Sequence, residues 1–422
     1  MQPANQPKDG YIAVRKADIA AALRAEGGAE ETGLCNVLKL LNAMLHHEAC
    51  DQLDALEALY DPLDPDAPAN RRDSEAAAFD AFEAALIDGL KRANFEEVSI
   101  ASVDSHGATA LLTGLKVKAS LAGIRRIRFF ARGARTERLV RRAWLGIRRI
   151  ALDAEVFSDV VVLVGFKSDG EISRADRRAF ASMRRGVRPG AALVKHFRNV
   201  AHPELVMLHP GARPSMRGQD QFLLAAPALA GGVPVLLNLW PALTVLFAVL
   251  AAYFGARGVI DNDQLKRALA AVSGLAAVGA FVMRQRLKLE TQTLRYQKQL
   301  ADTVYFRNLA NNAGVLDLLV AEGEDQDVKE AFLAYWMLLR AGKPMTKEEL
   351  DKAAEAFLRE RFQLDIDFEI GDAIGKLERL GIIVHEGETY RALDTASALA
   401  KLDAAWDAYF KFDTPPPQQT ST

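Results

Sequence analysis

Apolar residues recur at helical spacing across residues 36–60, through Val37, Leu40, Leu41, Met44 and Leu45. The spacing predicts an amphipathic helix. A Pro/Asp run, DPLDPDAP at 61–68, ends it. Ser74 then opens a helix that sets Phe79, Phe82, Leu86 and Leu90 on one face. From about residue 96 the pattern shortens to β-like runs. Residues 124–130 alternate basic and apolar side chains in part, and 147–152 and 160–166 follow. The last, VVVLVGF, is a continuous apolar run of buried-strand type. Residues 191–197 read as a further strand, so the region predicts a small α+β domain.

Between Asp220 and Arg257 no charged side chain occurs. Residues 235–256 are long enough to cross a hydrocarbon core of about 30 Å as a helix, with a kink expected at Pro241. A second apolar run, 268–283, is short, but Lys266, Arg267, Arg284 and Arg286 at its ends can extend its reach by snorkelling. Its small residues pair at four-residue spacing, Ala270 with Gly274 and Ala276 with Ala280, a face that lets helices pack closely. The pattern predicts a two-helix transmembrane hairpin. The excess of basic residues after the second run places both large domains on the cytoplasmic side. A buried helical hairpin is the alternative. Residues 284–305 continue as one charged helix.

The last folded unit starts at about residue 313. Residues 325–340 predict a helix, and Thr346 with Glu349 forms a capping box that opens another. Asp367 caps a third, and runs at 382–384 and 390–393 flank a Glu386-Gly387 turn. Three helices followed by a hairpin is the order of a winged helix. A final helix, 395–410, precedes a Pro/Gln/Ser/Thr tail expected to be disordered.

The formal net charge is only −2, but its distribution is uneven. Residues 116–149 hold twelve Lys or Arg and one acid, Glu137, whereas 48–105 are strongly acidic. One reading is a surface for anionic phospholipid head groups, carried by Arg125, Arg126, Arg128, Arg132, Arg135, Arg138, Arg141 and Arg142. The other is mutual neutralisation of the two blocks inside the fold. Nucleic acid is not expected as a partner. The third helix of the winged-helix-like unit carries Glu369, Asp372 and Glu378 against Lys376 and Arg379, so the phosphate-neutralising charge is missing. A protein partner suits that unit better.

The densest polar cluster joins two helical segments: Tyr305, Arg307, Asn308, Asn311 and Asn312. These residues either cap helix ends or line a polar pocket. His46, His47, Glu48 and Cys50 share one helix, but only His46 and Cys50 have the spacing of ligands on one face. No phosphate-binding glycine loop, dinucleotide fingerprint or nucleophile elbow occurs. No catalytic residue, metal or other cofactor is therefore expected. The two cysteines, Cys35 and Cys50, fit a reducing compartment.

YFRNLANNAGVLDLL at 305–319 and VKEAFLAYWMLL at 328–339 resemble the signature of the transmembrane protein 143-like family of membrane proteins. YIAVRKADI (11–19), DVVVLVGFK (159–167), LVKHFRNVAHPELVMLHPG (193–211), APALAGGVP (226–234) and DFEIGDAIGKLERLGII (367–383) extend the resemblance over most of the chain. It implies two transmembrane helices, with eukaryotic relatives in mitochondria or plastids, and supplies no activity, substrate or catalytic residue.

The expected architecture is an α+β membrane protein. A helical N-terminal region (1–95) precedes a basic α+β domain (96–215). A transmembrane hairpin with its juxtamembrane helix (216–305), a winged-helix-like domain (306–411) and a disordered tail (412–422) follow. The expected place is a bacterial-type inner membrane, or the mitochondrial inner membrane in a eukaryote. The expected role is a non-enzymatic anchor that meets lipid and a protein partner, with self-association through the second span. An enzyme or transporter acting at the 305–312 cluster is the rival.

Overall fold

A computed structural model gives the fold of the 422-residue chain. It describes residues 10–28, 31–68, 76–99, 116–119, 123–143, 148–174, 187–215, 262–368 and 370–409, with isolated positions 177, 244, 247, 250, 251, 254 and 255.

Three helices lead: α1 (Lys16–Glu26), α2 (Glu31–Tyr60) and α3 (Ala76–Arg92). The apolar stripe of α2 is buried along Val37, Leu41, Met44 and Leu45 and ends at Tyr60. Phe79, Phe82, Leu86 and Leu90 of α3 are buried as one face. Each such side chain moved out of water contributes roughly 1.5–3 kcal/mol.

The strands β1 (Glu96–Glu97), β2 (Lys116–Ala119), β3 (Ile124–Ala143), β4 (Arg148–Phe166), β5 (Ala192–Ala201) and β6 (Ala212–Ser215) follow. A short 3-10 turn (His202–Leu208) joins β5 to β6. Then come α4 (Asn262–Arg307) and β7 (Asn308–Asn311). The main sheet is antiparallel in the order β1-β3-β4-β5-β7, and β2 pairs separately with β6. The continuous apolar run of β4 is buried on both faces. Val161 and Leu163 meet α3, while Val160, Val162 and Val164 join a cluster with Leu205 and Leu208 of the 3-10 turn. Gly165 is needed there because a Cβ would lie 2.5 Å from the Phe79 ring.

The C-terminal unit comprises α5 (Ala313–Ala341), β8 (Met345–Thr346), α6 (Lys347–Phe362), α7 (Ile370–Arg379), β9 (Ile383–Glu386), β10 (Thr389–Ala392) and α8 (Thr395–Tyr409). Its strands order as β8-β10-β9. Thr346 Oγ1 accepts from the Glu349 amide at 3.2 Å, and the Glu349 carboxylate accepts from the Thr346 amide at 3.0 Å, which completes the capping box.

The helix α5 serves two cores. Its second half packs Tyr335 and Trp336 among α1, α2, α6 and α7. Its first half lays Leu316 and Leu319 on α3 and the sheet. The helix α2 is shared in the same way, with Leu38 in one core and Tyr60 in the other.

The expected transmembrane hairpin is not supported. Among the described residues no helix is long and apolar enough to cross a membrane. The first expected span, 235–256, lies largely outside the described residues. The second, 268–283, sits inside α4, a helix of 46 residues. Its apolar run falls short of the ~20 residues a span needs, and alanine, glycine and serine keep it weakly hydrophobic. Charged turns through Arg284, Arg286 and Lys288 supply the rest of the helix. The described residues therefore form a mixed α/β fold that does not support the membrane hairpin, nor the inner-membrane placement derived from it.

Candidate functional site

The strands β3 and β4 form a hairpin much longer than its neighbours. They pair from Ile124↔Phe166 out to Ala143↔Arg148. The partner β5 reaches only Val156 on β4, and β1 touches β3 only at Phe130 and Ala131. Among the described residues, the stretch from Thr136 to Ala143 and its opposite strand therefore pair only with each other. Eight residues per strand make a two-stranded ribbon about 26 Å long.

A buried charge network roots this ribbon. Arg132 on β3 stands opposite Asp159 on β4. The Arg132 side chain is 1% exposed and Asp159 7%. The Arg132 guanidinium donates to Asp159 Oδ2 at 3.2 and 3.3 Å, to Glu322 Oε2 of α5 at 2.6 Å and to the Ala93 carbonyl at 2.9 Å. The rings of Tyr11 and Phe95 lie 4.3 and 4.4 Å from it, so aromatic faces cover the charge that remains. Asp159 Oδ1 meets His196 Nε2 and Arg198 Nε, each at 3.2 Å. An unpaired charge at such depth is very costly, and here each charge has partners.

The electrostatics follow from burial and pairing. Burial alone would raise Asp159, but the His196 hydrogen bond and the Arg132 and Arg198 charges outweigh it and hold the carboxyl down to about 2. Glu322 moves the other way, because burial there exceeds the pull of Arg132 and His196. Burial also raises Tyr11 and lowers Lys195. Beside the network, the N-terminal segment is tied down at Ile12. Its amide donates to Gln326 Oε1 at 2.9 Å, and its carbonyl accepts from Lys329 Nζ at 2.8 Å.

The eight arginines of the basic block have separate fates. Arg125 pairs with Glu171 at 2.7 Å. Arg126 pairs with Glu83 and Asp80, and Arg128 with Glu83 at 2.9 Å and Glu97 at 3.1 Å. Arg132 sits in the network. Arg135 donates to Glu137, Ser158 and Asn199 at 2.6–2.9 Å. Thus five are held by acids within the fold, and three of those acids, Asp80, Glu83 and Glu97, come from the acidic stretch. Arg138, on the ribbon, is exposed. Farther out, the register sets Arg141 opposite Ile150 and Arg142 opposite Arg149.

The 305–312 cluster does not converge. Tyr305 is 76% exposed at the end of α4. Arg307 pairs with the buried Glu204. Asn308 and Asn311 belong to β7, the edge strand beside β5, and Asn308 Nδ2 donates to Asn311 Oδ1 at 3.1 Å. Asn312 begins α5 at φ +52° without a side-chain cap, and its amide donates to the Val194 carbonyl at 2.7 Å. The segment interrupts two helices by joining a sheet, which capping chemistry did not suggest.

The helix α7, in the place where a winged helix reads a groove, is turned inward. Lys376 Nζ meets Asp327 at 2.5 Å, and Arg379 forks onto Glu48 at 2.5 and 2.8 Å. With Asp51, Arg92 and Tyr409 they line a polar cleft of about 430 Å³. Burial raises Asp327 despite Lys376. His46 pairs with Glu324 at 2.8 Å, and the His47 ring packs on Tyr409. Among the described residues no group of three or more His, Cys, Asp or Glu is arranged to hold a metal ion.

Sequence reasoning missed Asp159, His196 and Glu322. A charge at the head of the apolar VVVLVGF run was the available signal.

Residues 157–314 match a family described as protein of unknown function (DUF3754). The match covers just over a third of the chain, from the root of the ribbon through β7. It carries no link to transmembrane protein 143. No solved structure matches the chain.

Proposed function

We propose that the chain is a non-enzymatic docking module that lays the far end of its β3–β4 ribbon on anionic phospholipid head groups. The observation that carries this reading is the backbone register that sets Arg142 opposite Arg149 on a ribbon that, among the described residues, pairs with no third strand. Like charges directly opposite are unfavourable in a ladder, and a surface of negative charge relieves them. Arg141 and Arg148 flank the pair, while Arg138 lies farther in, opposite Asp153. Residues 144–147, outside the described set, are Trp-Leu-Gly-Ile in sequence, side chains suited to a lipid interface. The buried Arg132–Asp159 root holds the ribbon's base rigid.

The same reading includes a protein partner for the C-terminal unit, on faces that α2 leaves open, such as the exposed Val384 and His385 of β9. It also includes self-association, without the membrane hairpin first expected to mediate it. The finer kinship with the transmembrane protein 143-like family is supported by the motifs at 305–319 and 328–339 and adds no activity. The rival site at the 305–312 cluster draws no support from geometry, since Arg307 is taken by Glu204, Asn308 and Asn311 bond to each other, and Tyr305 is exposed.

Flotation of the full chain with neutral and anionic vesicles tests the docking. Binding is expected to anionic vesicles alone and to fall with added salt. Each arginine near such a surface contributes about 1 kcal/mol, so R141Q/R142Q should weaken partition roughly thirtyfold. Equal binding to both vesicle types, or an unchanged double variant, overturns the proposal. Tighter binding to duplex DNA than to vesicles at equal salt would assign the ribbon to nucleic acid and overturn it too.

A further inference from the structure

Residues of α1 and α2, with Phe332 of α5, line an open groove of about 260 Å³. Its floor and walls are Ala17, Ala20, Cys35, Leu38 and Phe332. Two alanines on α1 leave the gap that larger side chains would close. Lys16, Arg24, Lys39 and Asn42 complete the lining, and among the described residues no acidic side chain lines the space. Lys16 is partnered by Glu324 at 2.9 Å, while Arg24 Nε donates within α1 to the Ala20 carbonyl at 3.2 Å. Lys39 is exposed.

We infer that this groove binds a single-chain anionic amphiphile, with its alkyl tail on Phe332 and Leu38 and its acid group at the exposed Lys39. Apolar side chains line the groove together with cationic ones, of which Lys39 is exposed, and that combination selects the class of ligand. An apolar cavity of about 150 Å³ takes a benzene ring, so this one suits a chain of roughly eight carbons. A cavity lined by apolar side chains with a few convergent polar groups is the usual form of a small-ligand site. The inference is independent of the ribbon, which lies on other elements.

Cys35 lines the groove and is partly buried, so it serves as the reporter. The full chain with Cys50→Ser has one thiol, and its rate of reaction with a thiol reagent is measured against octanoate, octanol and octylamine. Octanoate is expected to slow labelling at least fivefold and saturably, octanol to require about tenfold more ligand, and octylamine to have no effect. Lys39→Glu, on an exposed position, should weaken octanoate about tenfold and leave octanol unchanged. Ala20→Leu should abolish protection with the helical signal retained. Vesicles of anionic lipid form a second arm. Protection by vesicles as well as by octanoate names a bilayer lipid as the source, and protection by octanoate alone names a free acid. Equal protection by all three octyl compounds, no protection by octanoate, or an unchanged Lys39→Glu variant overturns the inference.

Discussion

The near and far parts of the β3–β4 hairpin both carry arginines, in opposite circumstances. Near the sheet, Arg126, Arg128 and Arg132 meet Glu83, Glu97, Asp159 and Glu322, carried by α3, β1, β4 and α5. Far from it, beyond the reach of β5, the two strands pair only with each other among the described residues, and the register sets Arg142 opposite Arg149. The difference teaches that a count of basic residues overstates what a surface can present. The charge left for a partner is what remains after neighbouring elements have neutralised the rest. Here the end of β5 marks the boundary.

The largest expected effect lies on the near side. Arg132→Ala leaves Asp159 and Glu322 buried without their main cation and should destabilise the protein by about 3–5 kcal/mol, read as a fall in denaturant midpoint. A loss below about 1 kcal/mol would mean that the root is not structural. Acid should erase part of the same contribution. The folded pKa of Asp159 is depressed to about 2, so its stabilisation is complete above about pH 4 and is lost as pH falls through about 2. The gap in unfolding midpoint between the parent and Asp159→Asn should therefore narrow between pH 5 and pH 2.5, and a constant gap would contradict the pairing. The smallest effect lies on the far side and has the reverse sign. Arg142→Glu replaces a like-charge pair by an opposite one and should stabilise the free protein by about 0.2–1 kcal/mol, while its vesicle binding falls. If it destabilises the protein instead, the register at the ribbon's end is not as described.

The parts of this fold that follow from short-range pattern were legible in the sequence. The helical stripes of α2 and α3, the doubly buried run of β4 and the Thr346–Glu349 box all depend on residues a few positions apart. The hairpin's length was hidden because its strands carry too many charges. Asp153, Glu155, Ser158 and Asp159 divide what is one strand, β4, into two apparent runs. The strand β7 was hidden because asparagines read as turn or cap residues. The basic block was plain from composition, but which of its arginines the fold neutralises was not. That depends on Glu83, 43 residues from Arg126, and on Glu322, 190 residues from Arg132. The membrane expectation weighed the absence of charge over residues 221–256 more heavily than the weak hydrophobicity of 268–283. In the structure the latter is one stretch of a long helix whose other turns carry charged residues.

The helices α2 and α5 work as dowels. Each runs unbroken through one packed core into the next, and a 29-residue rod such as α5 extends about 43 Å without a joint. A sequence boundary drawn near residue 95 or 306 is therefore not a line along which the molecule comes apart. Loosening the C-terminal unit draws Tyr335 and Trp336 out of one core and strains the seat of Leu316 and Leu319 in the other. Heat or force applied at either end is felt at both, and the ribbon's root, pinned to α5 through Glu322, stands between them.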